Sequence, residues 1–172
     1  MTTPISILIS ILTVACWFDM RERRVPNALI LAGMLIAPVL GWAEAGAPGI
    51  GSALAGLAAG LAVLLPFFVL RMVGAGDVKL MSVVGGFTGA AALLPIALYT
   101  FIAGGLLAAV SLLATRSGAQ ALSNFRLLLL SMTSRVSGAS VTTADLGLKT
   151  ACRLPYAVAI ACGVLAWLLT RN

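Results

Sequence analysis

Apolar runs close to the length of a membrane span follow one another along almost the whole chain. The hydrocarbon core of a bilayer requires about 20 apolar residues per helix, with a range of about 17–25. The apolar segments cover about 4–18, 27–42, 50–70, 78–92, 95–115 and 154–169. With 61% hydrophobic and only 9% charged residues, a soluble globular enzyme, a disordered tail and a disulfide scaffold are excluded. We predict an all-α polytopic membrane protein of about six transmembrane helices, forming a single domain over residues 1–172.

The basic residues predict how these spans are oriented. No Lys or Arg precedes the first span, whereas Arg21, Arg23 and Arg24 follow it directly, which is the reverse of a cleavable signal peptide. If the N-terminus lies outside, the loops after spans one, three and five, together with Lys79 at the start of span four, carry ten of the eleven basic residues. Loops with excess Lys and Arg face the cytoplasm. We therefore expect both termini on the outer side, and we attribute the net charge of +6 to membrane orientation rather than to nucleic-acid binding.

The least apolar stretch lies between the fifth and the last span, over residues 116–153. Within it, residues 119–132 can lie on the cytoplasmic membrane surface as an interfacial helix. The sequence does not assign this stretch a function: a lid, a surface anchor and a partner-docking segment all remain open.

Carboxylates are scarce, and two of them lie at the same predicted depth. Of the five acidic residues, Asp19 ends the first span and Asp77 begins the fourth, so both fall at the cytoplasmic boundary. Placing an ionisable group in or near the membrane costs free energy, so such a residue is a candidate functional residue. An aspartyl protease needs two carboxyl groups that face each other as its catalytic residues. The ionised carboxylate activates water, and the protonated carboxyl group polarises the scissile carbonyl.

Each of these features also has an ordinary structural interpretation. Asp77 can cap a helix N-terminus, and Asp19 can pair with the arginines that follow it. Gly74 and Gly76 leave space for an extended peptide, but glycines also serve helix packing. With no histidine and three scattered cysteines, a zinc site and a His-based triad are nearly excluded, so we expect no metal and no cofactor.

Two segments resemble the motifs of a known enzyme family. Gly74-Ala75-Gly76-Asp77-Val78-Lys79-Leu80 is similar to the GxGD-x-K motif of type IV prepilin peptidases. The segment 19–27, with an Asp before basic residues and Val-Pro-Asn, resembles the first catalytic segment of that family. The segment 154–160 resembles its C-terminal Pro-Tyr-x-x-Ala-Ile pattern. The chain length is similar to the short CpaA/TadV-like subfamily that serves Tad/Flp pilus systems.

This resemblance implies an aspartic endopeptidase of the bacterial inner membrane. Asp19 and Asp77 would be the catalytic pair, and Gly74 and Gly76 would shape the approach of the substrate backbone. Lys79 belongs to the motif, but it does not share a helix face with Asp77, and a contact with lipid headgroups or a loop carboxylate is an equal alternative. The substrate would be a Flp-type prepilin or pseudopilin whose short basic leader is removed after a glycine on the cytoplasmic side. Pilus assembly proteins are further candidate partners.

The same resemblance bears on cofactors and on the alternatives. The longer relatives carry an additional cytoplasmic region with paired CxxC motifs and also methylate the mature pilin. This sequence lacks that region, which implies no N-methyltransferase activity and no need for zinc or S-adenosylmethionine. One alternative is a non-enzymatic membrane scaffold or transporter subunit. A second is a GxGD intramembrane protease of the signal-peptide-peptidase or presenilin kind, which would cleave deep in the membrane.

Overall fold

A computed structural model describes residues 2–70, 73–114 and 156–171. Within these ranges the chain forms six helices and no strand, which confirms the all-α prediction. The helices are α1 (Thr2–Glu22), α2 (Asn27–Ala45), α3 (Ala47–Val69), α4 (Ala75–Thr88), α5 (Ala90–Ala114) and α6 (Tyr156–Thr170). The segment 119–132, for which we expect an interfacial helix, lies outside the described residues.

Four helices are long and apolar enough to cross a membrane, as expected for a polytopic membrane protein. They are α1, α2, α3 and α5. The other two are shorter, with 14 residues in α4 and 15 in α6. At a rise of about 1.5 Å per residue, a helix of this size extends about 21–23 Å, which is less than the hydrocarbon core of a bilayer.

Glycines end two of the helices, and one of them corrects the predicted boundaries. Gly46 separates α2 from α3 at φ 65°, and Gly89 separates α4 from α5 at φ 80°, a region that side chains disfavour. The prediction that the fourth span runs to residue 92 and that Pro95 begins the fifth is therefore wrong. The helix α4 ends at Thr88, and Pro95 lies inside α5, where a membrane helix tolerates proline because its neighbours satisfy the freed carbonyl.

The short helix α4 lies at the centre of the bundle, in contact with α1, α2, α3 and α6. Its residues 80–86 are all buried. The closest approach is to α3, where a Cβ on Gly56 would overlap the carbonyl of Gly85 and a Cβ on Gly60 would overlap the carbonyl of Met81. These two glycines, four positions apart, allow the backbones to approach as small residues do in membrane helix pairs. The hydroxyl of Ser82 also donates to the carbonyl of Leu57 at 2.7 Å, so α3 holds α4 in a fixed register.

The last helix packs against α5 and α1. A Cβ on Gly163 would overlap Thr100, so α5 and α6 approach closely at this point. Near the start of α6, Ala157, Ile160 and Val164 are fully buried. One compact unit comprises Met1–Gly104 with Pro155–Asn172. The second, Gly105–Leu154, contributes only the last turns of α5 to the described residues, and the single-domain assignment stays a prediction.

Candidate active site

Asp19 extends the buried face of α1 by one further turn. The side chains of Leu8, Leu12 and Ala15 are buried at helical spacing, and Asp19 follows four positions after Ala15 with only 7% of its surface exposed. Residues three and four apart share a helix face. Asp19 therefore lies among core residues, where a carboxylate is costly unless it has a hydrogen-bond partner.

That partner comes from the other end of the chain. The backbone N–H of Ala157, in the first turn of α6, donates to Oδ2 of Asp19 at 2.9 Å. The arginines that follow Asp19 were expected as its alternative partners, but the bond that the structure shows joins it to a backbone amide 138 positions away. Sequence reasoning missed this amide. The sequence feature that could have indicated it is Pro155 before the start of a helix whose first turn contains no acidic residue. Such a helix start needs an acceptor from elsewhere in the chain.

Asp77 lies in the first turn of α4, and the predicted capping role is present. Its Oδ2 accepts the N–H of Gly74, the residue that precedes the helix, at 3.2 Å. A carboxylate near a helix N-terminus is stabilised by unpaired N–H groups and by the helix dipole. The side chain is only partly buried, so one side of the carboxyl group remains accessible.

The two carboxylates lie at the same end of the bundle and interact electrostatically. Asp19 is near the end of α1 and Asp77 is near the start of α4, and these two helices pack against each other. Tyr156, the first residue of α6, also interacts electrostatically with Asp77. The site is thus formed by one end each of α1, α4 and α6.

The two glycines of the motif have different surroundings. A Cβ on Gly74 would meet Oδ2 of Asp77 at 3.1 Å, whereas a Cβ on Gly76 would have no atom within 4 Å. Neither backbone lies in the positive-φ region. The strained dihedrals that glycine permits are therefore not what these positions require. Gly74 leaves room for the carboxylate, and Gly76, which precedes Asp77 in the sequence, borders open space.

Lys79 is placed away from Asp77, as the helical spacing predicts. Its Nζ donates to Oδ1 of Asn27 at 3.3 Å. Asn27 is the first residue of α2 and belongs to the other resembling segment. Lys79 therefore links the start of α4 to the start of α2 through the side-chain amide of Asn27. The loop carboxylate that we considered as its partner lies outside the described residues.

The loop after Asp19 contains a strained residue. Arg23 has φ 52° and is the described non-glycine residue with positive φ. Its N–H donates to the backbone carbonyl of Asp19 at 3.0 Å, which closes the last turn of α1. A side chain in the left-handed region costs roughly 1–2 kcal/mol, so the end of α1 is held in this conformation by its surroundings.

A cavity at the opposite end of the bundle is separate from this site. It has a volume of about 290 Å³ and is lined by Pro4 at the start of α1, Glu44 at the end of α2 and Thr88 at the end of α4. Asp19 lies near the end of α1 and Asp77 near the start of α4, so the cavity and the paired carboxylates belong to different ends of these helices.

The arrangement at the carboxylate end has the components for acid–base hydrolysis. Two neighbouring carboxylates do not both ionise readily, so the pair can share one proton. Each is held by a backbone N–H, and open space borders Gly76. In the part of the chain that the structure describes, no group of three or more His, Cys, Asp or Glu residues is arranged to hold a metal ion.

Comparison with known proteins identifies the family. The Type IV leader peptidase family matches residues 6–109, which include Asp19, the whole of α4 and the Gly74–Asp77 segment. Neither a curated protein nor a solved structure gives a match. The match covers more than half of the chain, so the chain belongs to the type IV leader peptidase family. The helix α6 lies outside the matched residues.

Proposed function

We propose that this type IV leader peptidase is an aspartic endopeptidase with Asp19 and Asp77 as its catalytic pair. The observation that carries the proposal is the placement of these two side chains at one end of the bundle, near the end of α1 and near the start of the adjoining α4. Family membership supports peptidase activity on prepilins. The aspartic mechanism follows from the chemistry that a pair of carboxylates can perform.

In this mechanism the pair divides two tasks. The ionised carboxylate takes a proton from water, whose oxygen attacks the scissile carbonyl carbon, while the protonated carboxyl donates to the carbonyl oxygen. The resulting tetrahedral intermediate collapses with cleavage of the C–N bond. The proton taken from water passes to the leaving amine, and a hydroxyl group of the intermediate returns a proton to the second carboxylate, so the pair ends the cycle with its one shared proton.

We further propose that the bond cleaved follows a glycine in the short basic leader of a Flp-type prepilin or pseudopilin, as in the CpaA/TadV-like subfamily. The open space beside Gly76 supports an extended backbone at this position. A glycine in the substrate would let its backbone approach the pair without a side chain. Activity without N-methylation, and without zinc or S-adenosylmethionine, remains part of this proposal.

The site is proposed to face the cytoplasm of the inner membrane, with both termini outside. Arg21, Arg23 and Arg24 follow Asp19 directly, at the end of the bundle that carries the pair. Excess basic charge marks cytoplasmic loops. The basic leader of a prepilin is held on the same side, so the scissile bond would reach the pair at the membrane boundary.

A processing assay tests the proposal. A Flp-type prepilin is co-expressed with the wild type, Asp19→Asn, Asp77→Asn and the control Glu22→Gln, and membrane levels are compared by blot. We expect both Asn variants to leave the prepilin uncleaved at normal abundance, and Glu22→Gln to cleave it, because exposed Glu22 ends α1 outside the pair.

The other outcomes separate the alternatives. Cleavage that continues in either Asn variant would refute the catalytic pair. A scaffold would tolerate both isosteric changes, and pilus assembly would then proceed without a change in prepilin length. Product mass identifies the position of cleavage, because a cut deep in the hydrophobic helix would favour an intramembrane protease of the signal-peptide-peptidase kind.

A further inference from the structure

The hydrogen bond between α6 and Asp19 gives the last helix a role at the candidate active site. The first N–H groups of any helix have no partner within the helix. In α6 one of these, the N–H of Ala157, donates to Asp19 Oδ2. The first turn of α6 contains no acidic residue, and Pro155 before it has no side-chain acceptor. Asp19 therefore caps a helix that begins 137 positions after it (156 − 19).

The two carboxylates of the pair are held in different ways. Asp77 accepts an N–H three positions away, so the start of α4 positions it locally. Asp19 depends on a distant helix that must dock against α1. A hydrogen bond from a backbone N–H to one carboxyl oxygen fixes the orientation of the carboxyl group. Because this hydrogen bond uses Oδ2 of Asp19, Oδ1 of the same carboxyl group is left to accept another hydrogen bond.

The rest of α6 fixes the position of this amide. Ala157 and Ile160 are fully buried. A Cβ on Gly104 would meet the ring of Tyr156 at 3.4 Å, and a Cβ on Gly163 would overlap Thr100. The start of α6 is thus held against α5 on one side while it contacts Asp19 on the other. A hydrogen bond so supported can orient a catalytic group.

We propose that the backbone N–H of Ala157 is a positioning group for catalysis, which holds the carboxyl group of Asp19 in the orientation that the reaction requires. The inference rests on the proposed catalytic role of Asp19. It makes α6, which lies outside the residues that match the family, a part of the active site.

A backbone ester tests this role directly. Lactic acid replaces Ala157 by nonsense suppression in a cell-free system with nanodiscs, so that an oxygen replaces the N–H and the side chain is unchanged. The matched control is the same replacement at Ala159, which is also fully buried in α6. The ester at 159 removes an N–H of the helix that does not contact Asp19. Both esters also weaken one carbonyl acceptor, so this effect is the same in the two proteins.

The expected result is a split between kcat and KM. Loss of the hydrogen bond that orients Asp19 should lower kcat for prepilin cleavage about 10- to 100-fold at the 157 ester, with KM nearly unchanged. The ester at 159 should stay within about threefold of the wild type. The thermal midpoint of each variant is compared with that of the wild type to check that the variant is folded. Ala157→Pro removes the same N–H where the first turn of a helix tolerates proline, and it should reproduce the loss of kcat.

Two results would overturn the inference. Equal losses of kcat in both esters would show that α6 contributes only through helix stability. A raised KM with unchanged kcat at the 157 ester would place α6 in substrate binding instead. Asp19→Asn, assayed in parallel, separates failure of the inference from failure of the function. If Asp19→Asn is inactive while the 157 ester is not, only the positioning role is lost.

Discussion

The contact between α3 and α4 offers a quantitative prediction, because this contact positions the helix that carries Asp77. In Gly56→Ala, the new Cβ would lie 2.7 Å from the carbonyl carbon of Gly85, whereas an ordinary contact lies at 3.4–4 Å. The two backbones must therefore separate by about 1 Å at this point. Since both atoms belong to helix backbones, no flexible side chain can move away to relieve the overlap.

The expected cost is in the range known for overpacked interiors, about 1–3 kcal/mol. Alanine in place of glycine also favours a helix by roughly 0.5–1 kcal/mol. Gly51→Ala isolates this second contribution, since Gly51 lies in the same helix and its Cβ would have no atom within 4 Å. The free energy of unfolding should therefore be about 1–3 kcal/mol lower in Gly56→Ala than in Gly51→Ala.

The assay is reversible unfolding in mixed bicelles, with an increasing fraction of denaturing detergent, followed by tryptophan fluorescence. Prepilin cleavage is measured on the same samples below the transition. We expect Gly56→Ala to lose both stability and activity, because a displaced α4 moves Asp77 away from Asp19. If Gly56→Ala and Gly51→Ala have equal stability and equal activity, the close contact of α3 with α4 does not position the site, and the reasoning is refuted.

Three further predictions concern the site itself. The rate of cleavage should pass through a maximum as the pH is varied, because the pair needs one ionised and one protonated carboxyl group. A cleavage rate that does not change between acidic and neutral pH would contradict a shared proton. Gly76→Ala should keep the thermal midpoint of the wild type but raise KM severalfold, because its methyl group enters the open space beside the pair; an unchanged KM would show that the substrate does not pass there. Arg23→Gly should be about 1 kcal/mol more stable than Arg24→Gly, since both remove one charge but only Arg23 has a positive φ, and equal stability by the same unfolding assay would contradict strain at the end of α1.

Much of the fold could be predicted because hydrophobicity and charge act locally along the chain. The apolar runs predicted the all-helical membrane fold, and the arginines after Asp19 ended the first span near its structural end at Glu22. The boundary between α4 and α5 could not be predicted in this way. Gly89 stops a helix only through its positive φ, and Pro95 looks like a helix start although it lies inside α5.

The candidate site was predicted to the extent that it consists of carboxylates. Asp19 and Asp77 are rare charged groups at matching depth, and the structure brings them to the same end of the bundle. The amide of Ala157 could not be found in this way, because every residue except proline carries an N–H and only the docking of α6 selects this one. The link from Lys79 to Asn27 was missed for a related reason, since it depends on how the starts of α4 and α2 are placed.

The central claim is that Asp19 and Asp77 act as one catalytic unit, and a double-mutant cycle tests it most directly. Initial rates of prepilin cleavage are measured for Asp19→Asn, Asp77→Asn and the double variant in purified, folded enzyme. Residues that act as a unit give strongly non-additive losses. We therefore predict that each single variant is as inactive as the double variant. Losses that multiply, with clear residual activity in either single variant, would contradict the claim.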